Sequence, residues 1–167
     1  MTRKRHMLVV MLIAIGTIGI GANSASAAAG GQIPFRASYS GMATFNSATG
    51  TALFTGTGIA SDLGRSTNVN NITVLSGPVS CPGGFANKNV ETLTAANGDK
   101  LMLTGPHDVG CPIRPGVVHG TGDWTVTGGT GRFAGASGQG TFDGSADFNK
   151  GTFRFQLSGT ISAPGGD

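Results

Sequence analysis

Cys81, Glu91, His107, Asp108, Cys111, His119 and Asp123 are the residues whose types could support redox, acid–base or metal chemistry in this chain. The two cysteines, each followed by proline, lack the Cys-x-x-Cys spacing of a redox pair. In an exported chain they are expected to form one disulfide, Cys81–Cys111, which would pin two long loops together. His119 and Asp123 fall on one face of a strand. Four residues of extended chain hold them about 13 Å apart, too far for a direct hydrogen bond. His107 and Asp108 lie in a stretch with prolines and approach His119 only if that stretch folds over the end of the fold. Two histidines without a cysteine or a His-x-x-x-His cluster make no structural zinc site, so no metal is expected. Glu91 and Asp123 are a candidate acid–base pair of carboxylates, with nothing in their spacing that brings them together. The plainer reading puts strand carboxylates on the solvent face.

Other signatures exclude more than they assign. The string Gly129-x-Gly131-x-x-Ala134 matches the loose dinucleotide fingerprint, but a strand pattern with further glycines follows it where a helix is required. No Lys-Ser or Lys-Thr follows the glycines, so a phosphate-binding loop is excluded as well. There is no Gly-x-Ser-x-Gly elbow for a hydrolase nucleophile. No cofactor is therefore expected. Residues 128–138 read instead as a fixed, compact connection between two strands, with Gly128, Gly129, Gly131, Arg132, Phe133 and Gly138 as its structural residues. Glycine enters conformations closed to residues with a Cβ, and Arg132 is expected to satisfy loop carbonyls or pair with an acid.

The chain has 167 residues, and its amino terminus reads as a secretory signal. Arg3-Lys4-Arg5 forms a basic start, residues 7–20 an apolar run, and Ala25-Ser26-Ala27 a small-residue cleavage site. The run is shorter than the roughly 20 residues of a spanning helix, and no cysteine offers a lipid anchor. Cleavage after Ala27 predicts an extracellular protein with no membrane anchor. It also removes three of the 11 basic residues, so the remaining eight balance the eight acids. With no basic stripe left, nucleic acid is excluded as a partner.

The elements that must position these residues are strands. Alternation of period two runs through residues 35–45, 53–60, 87–95, 100–104, 117–127, 138–148 and 152–162, with a weaker strand at 66–75. Asn97-Gly98 suits a tight hairpin. Residues 77–83 and 105–116 read as Pro/Gly loops. Eight consecutive strands with short connections and strand-interior glycines predict an all-β fold, a single eight-stranded antiparallel β-barrel, with a β-sandwich as the alternative. The domain is expected to span residues 33–162, between a flexible leader at 28–32 and a flexible tail at 163–167.

The pattern Gly128-Gly129-Thr130-Gly131-x-Phe133-x-x-Ala136-x-Gly138, followed by a Phe-rich strand ending Leu157-x-Gly159-Thr160-Ile161, resembles the allene oxide cyclase and dirigent-like barrel group. The resemblance is nearer to its secreted bacterial members, which also share a turn like residues 56–65 here. It implies an eight-stranded barrel with an apolar interior, often oligomeric, so a homo-oligomer is one expectation. The plant catalytic residues have no matching positions in this chain, so no active site carries over.

An eight-stranded barrel has just enough room for one small ligand. Tyr39, Phe54, Trp124, Phe142, Phe155 and His119 are the candidate lining residues, with Tyr39 and Trp124 offering polar tips. Three functions are open at this level: non-enzymatic binding of a small apolar ligand, an isomerase, cyclase or dirigent-like helper on an apolar substrate, and a structural barrel with a solid core. The first is the leading expectation, and an enzyme the lesser one.

Overall fold

Side chains that alternate between water and a shared interior give a strand two unlike faces, and eight such strands bury the apolar one by closing on themselves. The structure, a computed structural model that describes residues 31–165, is a closed antiparallel barrel. Its strands are β1 (Gln32–Asn46), β2 (Thr51–Ala60), β3 (Gly64–Leu75), β4 (Phe85–Ala95), β5 (Lys100–Arg114), β6 (Val117–Gly129), β7 (Gly138–Asp147) and β8 (Thr152–Ser162). Each pairs with the next in sequence, and β8 pairs with β1. Closure leaves no free sheet edge and removes the sandwich alternative. The expected signal peptide, its cleavage site and the leader up to residue 30 lie outside the described residues. Gln32, expected in the leader, begins β1 opposite Ser162.

The two ends of the barrel are built differently. At one end the β6–β7 connection makes a single 3-10 turn, Gly131–Phe133, which places the fully buried Phe133 ring in the core. The turn needs Gly131, which has φ +59° and the Asp99 carboxylate where a Cβ would stand. Asp99 also accepts a hydrogen bond from the Arg132 backbone N–H (3.4 Å) and faces its guanidinium at 3.6 Å. Beneath this cap Phe35, Leu93, Leu101, Leu103, Leu157 and Ile161 form a packed apolar core. Trp124 packs edge-on against Phe35 (5.6 Å between centroids) and donates its indole N–H to the Thr141 carbonyl at 3.0 Å.

At the opposite end the β3–β4 loop crosses the rim, tied to β5 by the Cys81–Cys111 disulfide (Cα–Cα 5.9 Å). The bond closes a loop of 30 residues, which by the chain-entropy argument stabilises the fold by about 3–4 kcal/mol. It is compatible with an oxidising, extracellular location.

The largest departure from expectation is β5. The prolines predicted a loop at residues 105–116, but the strand continues to Arg114. Its register to β4 shifts between Asn87 and Asn89, and its register to β6 shifts between Thr104 and Val109. Pro106 and His107 occupy the bulge, exposed, so neither interrupts a buried ladder. An extra residue in a strand of period two reverses which side chains face in. Leu101 and Leu103 point inward before the bulge, and Asp108 and Gly110 point inward after it.

Candidate functional site

The bulge in β5 creates the site. Asp108 would face solvent on an unbroken strand, yet it is 3% exposed on the interior wall. Its carboxyl lies over two inward-facing glycines, Gly122 on β6 and Gly105 on β5, and occupies the space their side chains would take. Asn89 donates its amide N–H to Asp108 Oδ2 and accepts the Gly105 backbone N–H at 3.2 Å. Asn87 donates to the Asp108 carbonyl at 3.3 Å.

Neighbouring strands extend this polar wall. Ser66, Asn68 and Asn70 face inward from β3, and Asn87, Asn89 and Glu91 from β4. Asn68 donates to Glu91 Oε1 at 3.2 Å, and Ser66 Oγ shares a 2.6 Å hydrogen bond with the Tyr39 hydroxyl. Buried polar groups normally find partners. Here three side-chain atoms have none, Asn68 Oδ1, Asn70 Oδ1 and Asp108 Oδ1. All three are acceptors.

Burial governs the ionisation of these groups. It pushes Glu91 from 4.5 up to about 8; the charge of Asp108 adds to the rise and the Asn68 hydrogen bond opposes it. Asp108 is raised from 3.8 to about 6, again by burial first, against the Asn89 hydrogen bond and with repulsion from Asp123 across the wall. Burial likewise carries the Tyr39 phenol to about 12. At neutral pH Glu91 is mostly a carboxylic acid and Asp108 mostly a carboxylate.

Opposite this wall stands an aromatic one. Phe54 of β2 stacks on Phe153 (4.9 Å), Phe153 on Phe155 (5.5 Å), and Phe142 of β7 meets Phe155 edge-on at 5.8 Å. Phe148, past the end of β7, continues the series to Phe54 and Phe45 at the rim. Between the walls lies a cavity of about 380 Å³ at the disulfide end. Ile72, Val74, Phe85 and Val118 complete its apolar lining, and Asn70, Asn87, Asn89 and Asp108 its polar side. The volume sits near the lower bound of small-molecule sites, roughly 300–1,000 Å³.

Of the lining residues expected from sequence, Phe54, Phe142 and Phe155 bound the cavity. Tyr39 and Trp124 instead belong to the packed core, with their polar tips already bonded. His119 points outward from β6, where its Nε2 lies 3.4 Å from Asp143 Oδ2 on the outer surface. Inward positions on that strand are the even ones, Val118, Gly120, Gly122 and Trp124. Asp123 is therefore exposed on the outer face while Glu91 is buried inside, so these carboxylates do not form a pair. His107 is exposed at the bulge and Asp108 turns inward, so neither joins His119. Among the described residues no three of His, Cys, Asp and Glu gather as a metal site.

Of Asn68, Asn70, Asn87, Asn89 and Asp108, only Asp108 was among the sequence candidates, and there as a neighbour of His107 rather than as an interior group. A signal for four of them exists. Asn68 and Asn70 are in phase with Ile72 and Val74, and Asn87 and Asn89 with Phe85 and Leu93, so polar residues occupy positions that the apolar phase assigns to the interior. Asp108 carries no such signal, because its inward direction depends on the bulge. No family model matches this chain, and a search of curated proteins finds no match.

Proposed function

We propose that the protein, once exported, binds a small and mostly apolar molecule in the disulfide end of its barrel. One observation carries the reading: a cavity with an aromatic wall faces a wall of amides and a carboxyl on which buried acceptor oxygens lack partners. A barrel used only as a structural block gains from apolar filling, whereas leaving a buried polar atom unpaired costs roughly 1–3 kcal/mol. Ligand sites place a few polar groups in a mostly apolar lining to orient what they bind. Native mass spectrometry of the mature protein from its own host's medium tests this. A discrete extra mass per barrel, lost on denaturation, supports it. A bare barrel that also fails to take up any small apolar compound overturns it.

A second reading is acid–base chemistry on an apolar substrate, in line with the resemblance to cyclase and dirigent-like barrels. It is favoured by two carboxyl groups with separated pKa values, a pattern that lets one act as acid and the other as base. Asp108 would be the base, since it lines the cavity, and Glu91, deeper in the wall, would tune it. Turnover of a candidate substrate that survives Asp108→Asn would remove this reading.

A further inference from the structure

Resting on the binding reading above, we infer that the bound molecule carries a hydrogen-bond-donating head, an amine or a hydroxyl, and that the site rejects carboxylates. The inference comes from the acid that lines the cavity and the oxygen it leaves unpaired. Asn87 and Asn89 each spend one amide N–H, on the Asp108 backbone and carboxyl respectively, and Asn68 spends one on Glu91. Among the fully enclosed side-chain atoms of the described residues, those without a partner are three oxygens; the less enclosed amide nitrogen of Asn70 also has none. Two of the oxygens, Asp108 Oδ1 and Asn70 Oδ1, belong to cavity-lining residues that are 3% and 6% exposed.

Charge points the same way. Asp108 is an acid facing an apolar chamber. The single base among the lining residues, Arg154, stands at an exposed, outward position of β8 between inward Phe153 and Phe155. A carboxylate head would bring a second negative charge beside Asp108 with no cation to offset either, and like charges held close in a poorly solvated site disfavour each other strongly. An ammonium or hydroxyl head places its N–H or O–H where an acceptor is open, and hydrogen bonds to a charged partner are the stronger kind. The aromatic wall of Phe54, Phe142 and Phe155 receives the tail.

Four compounds with one tail isolate the head: 4-phenylbutylamine, 4-phenylbutanol, its methyl ether and 4-phenylbutyrate, titrated calorimetrically into the mature protein at neutral pH. The amine and the alcohol are expected to bind at least tenfold more tightly than the butyrate, with the ether behind both. Asp108→Asn should shrink the gap between amine and butyrate by at least tenfold, and Asn70→Leu should weaken the alcohol more than the ether. Equal binding of all four, or preference for the butyrate, overturns the inference while leaving the binding reading intact. No binding by any of the four overturns the inference, and the binding reading falls with it only if native mass spectrometry also finds a bare barrel. Should Asp108→Asn fail to fold, the wild-type ranking and the Asn70→Leu titrations decide.

Discussion

The two halves of this barrel share all eight strands and differ in what those strands point inward. Toward the Phe133 cap, interior positions hold Phe35, Leu93, Leu101, Leu157 and Ile161, and the space is filled. Toward the disulfide, β3, β4 and β5 turn Asn70, Asn87, Asn89 and Asp108 to the same interior, and a cavity opens against the phenylalanines of β2, β7 and β8. The change happens within single strands: β4 runs from Asn87 and Glu91 to Leu93 and Ala95 in one unbroken phase. Backbone pairing runs through both halves and slips only along β5, where the bulge that turns Asp108 inward makes part of the switch. Fold and site are thus separable. One end carries the packing that makes the barrel stable, and the other spends part of that stability on buried polar groups.

The comparison breaks most visibly if both ends respond alike to losing a phenyl ring. Phe133→Ala removes a fully buried side chain from a packed cap and should cost roughly 3–5 kcal/mol in urea unfolding. Phe142→Ala removes a half-buried ring that already borders empty space, so less than half that loss is expected. Equal losses would show that the cavity end is as tightly packed as the cap.

The polar wall makes its own signature in pH. A buried acid with a raised pKa keeps its proton in the folded state while the unfolded chain has released it, so rising pH favours unfolding. Below pH 4 both states are protonated and the contribution is complete. Asp108 takes part of it away up to about pH 6, and Glu91 continues the loss until about pH 8, above which the folded state ionises too. Between pH 6 and 8 Glu91 accounts for a decline of roughly 2–3 kcal/mol. Denaturation midpoints measured across that window should fall for the wild type and stay nearly flat for Glu91→Gln. Parallel curves would mean that Glu91 is ionised inside the barrel.

How legible each half is in the sequence follows from the same division. The packed half could be read because Phe35, Leu101, Phe153, Leu157 and Ile161 keep strict alternation, and the compact Gly-rich connection around Phe133 is marked by its glycines. Both cysteines also revealed their pairing. The open half could be read only in part. Phe54, Phe142 and Phe155 follow the apolar phase, but Asn70, Asn87 and Asn89 disguise it, since polar residues on a strand ordinarily mean the water side. Pro106 and Pro112 suggested a loop where a bulged strand runs, and a bulge reverses every later side chain without changing composition. Trp124 and Tyr39 face inward but belong to the core, since depth along the barrel is not written in the alternation, and neither is the inward parity of β6, on which Trp124 and His119 were both candidates. His119 was placed one parity off.

Gly122→Ala sharpens the role of the bulge. A methyl group there would enter the space filled by the Asp108 carboxyl, and that carboxyl is held by Asn89 with little room to withdraw. Overpacking of this kind costs roughly 1–3 kcal/mol. The loss should fall on the polar wall specifically: the part of the pH dependence below pH 6 that belongs to Asp108 should shift, while the Glu91 part persists. A variant that keeps the wild-type profile would place the Asp108 carboxyl away from Gly122.

The smallest effect is expected on the outer face, and it is the one that most directly tests inside against outside. His119 and Asp143 form an exposed pair, with 42% and 73% of their side chains accessible. Exposed ion pairs contribute from nothing to about 1 kcal/mol, and this one depends on the histidine being charged. His119→Ala should therefore change stability by less than about 0.5 kcal/mol and leave the affinity for the phenylbutyl compounds unchanged. Strand parity makes that expectation strict, because a side chain on the outer face of β6 is separated from the cavity by the sheet. A tenfold loss of affinity in His119→Ala would put the histidine inside, and with it would reverse the inward phase of β6 that places Val118, Gly120 and Gly122 against the site.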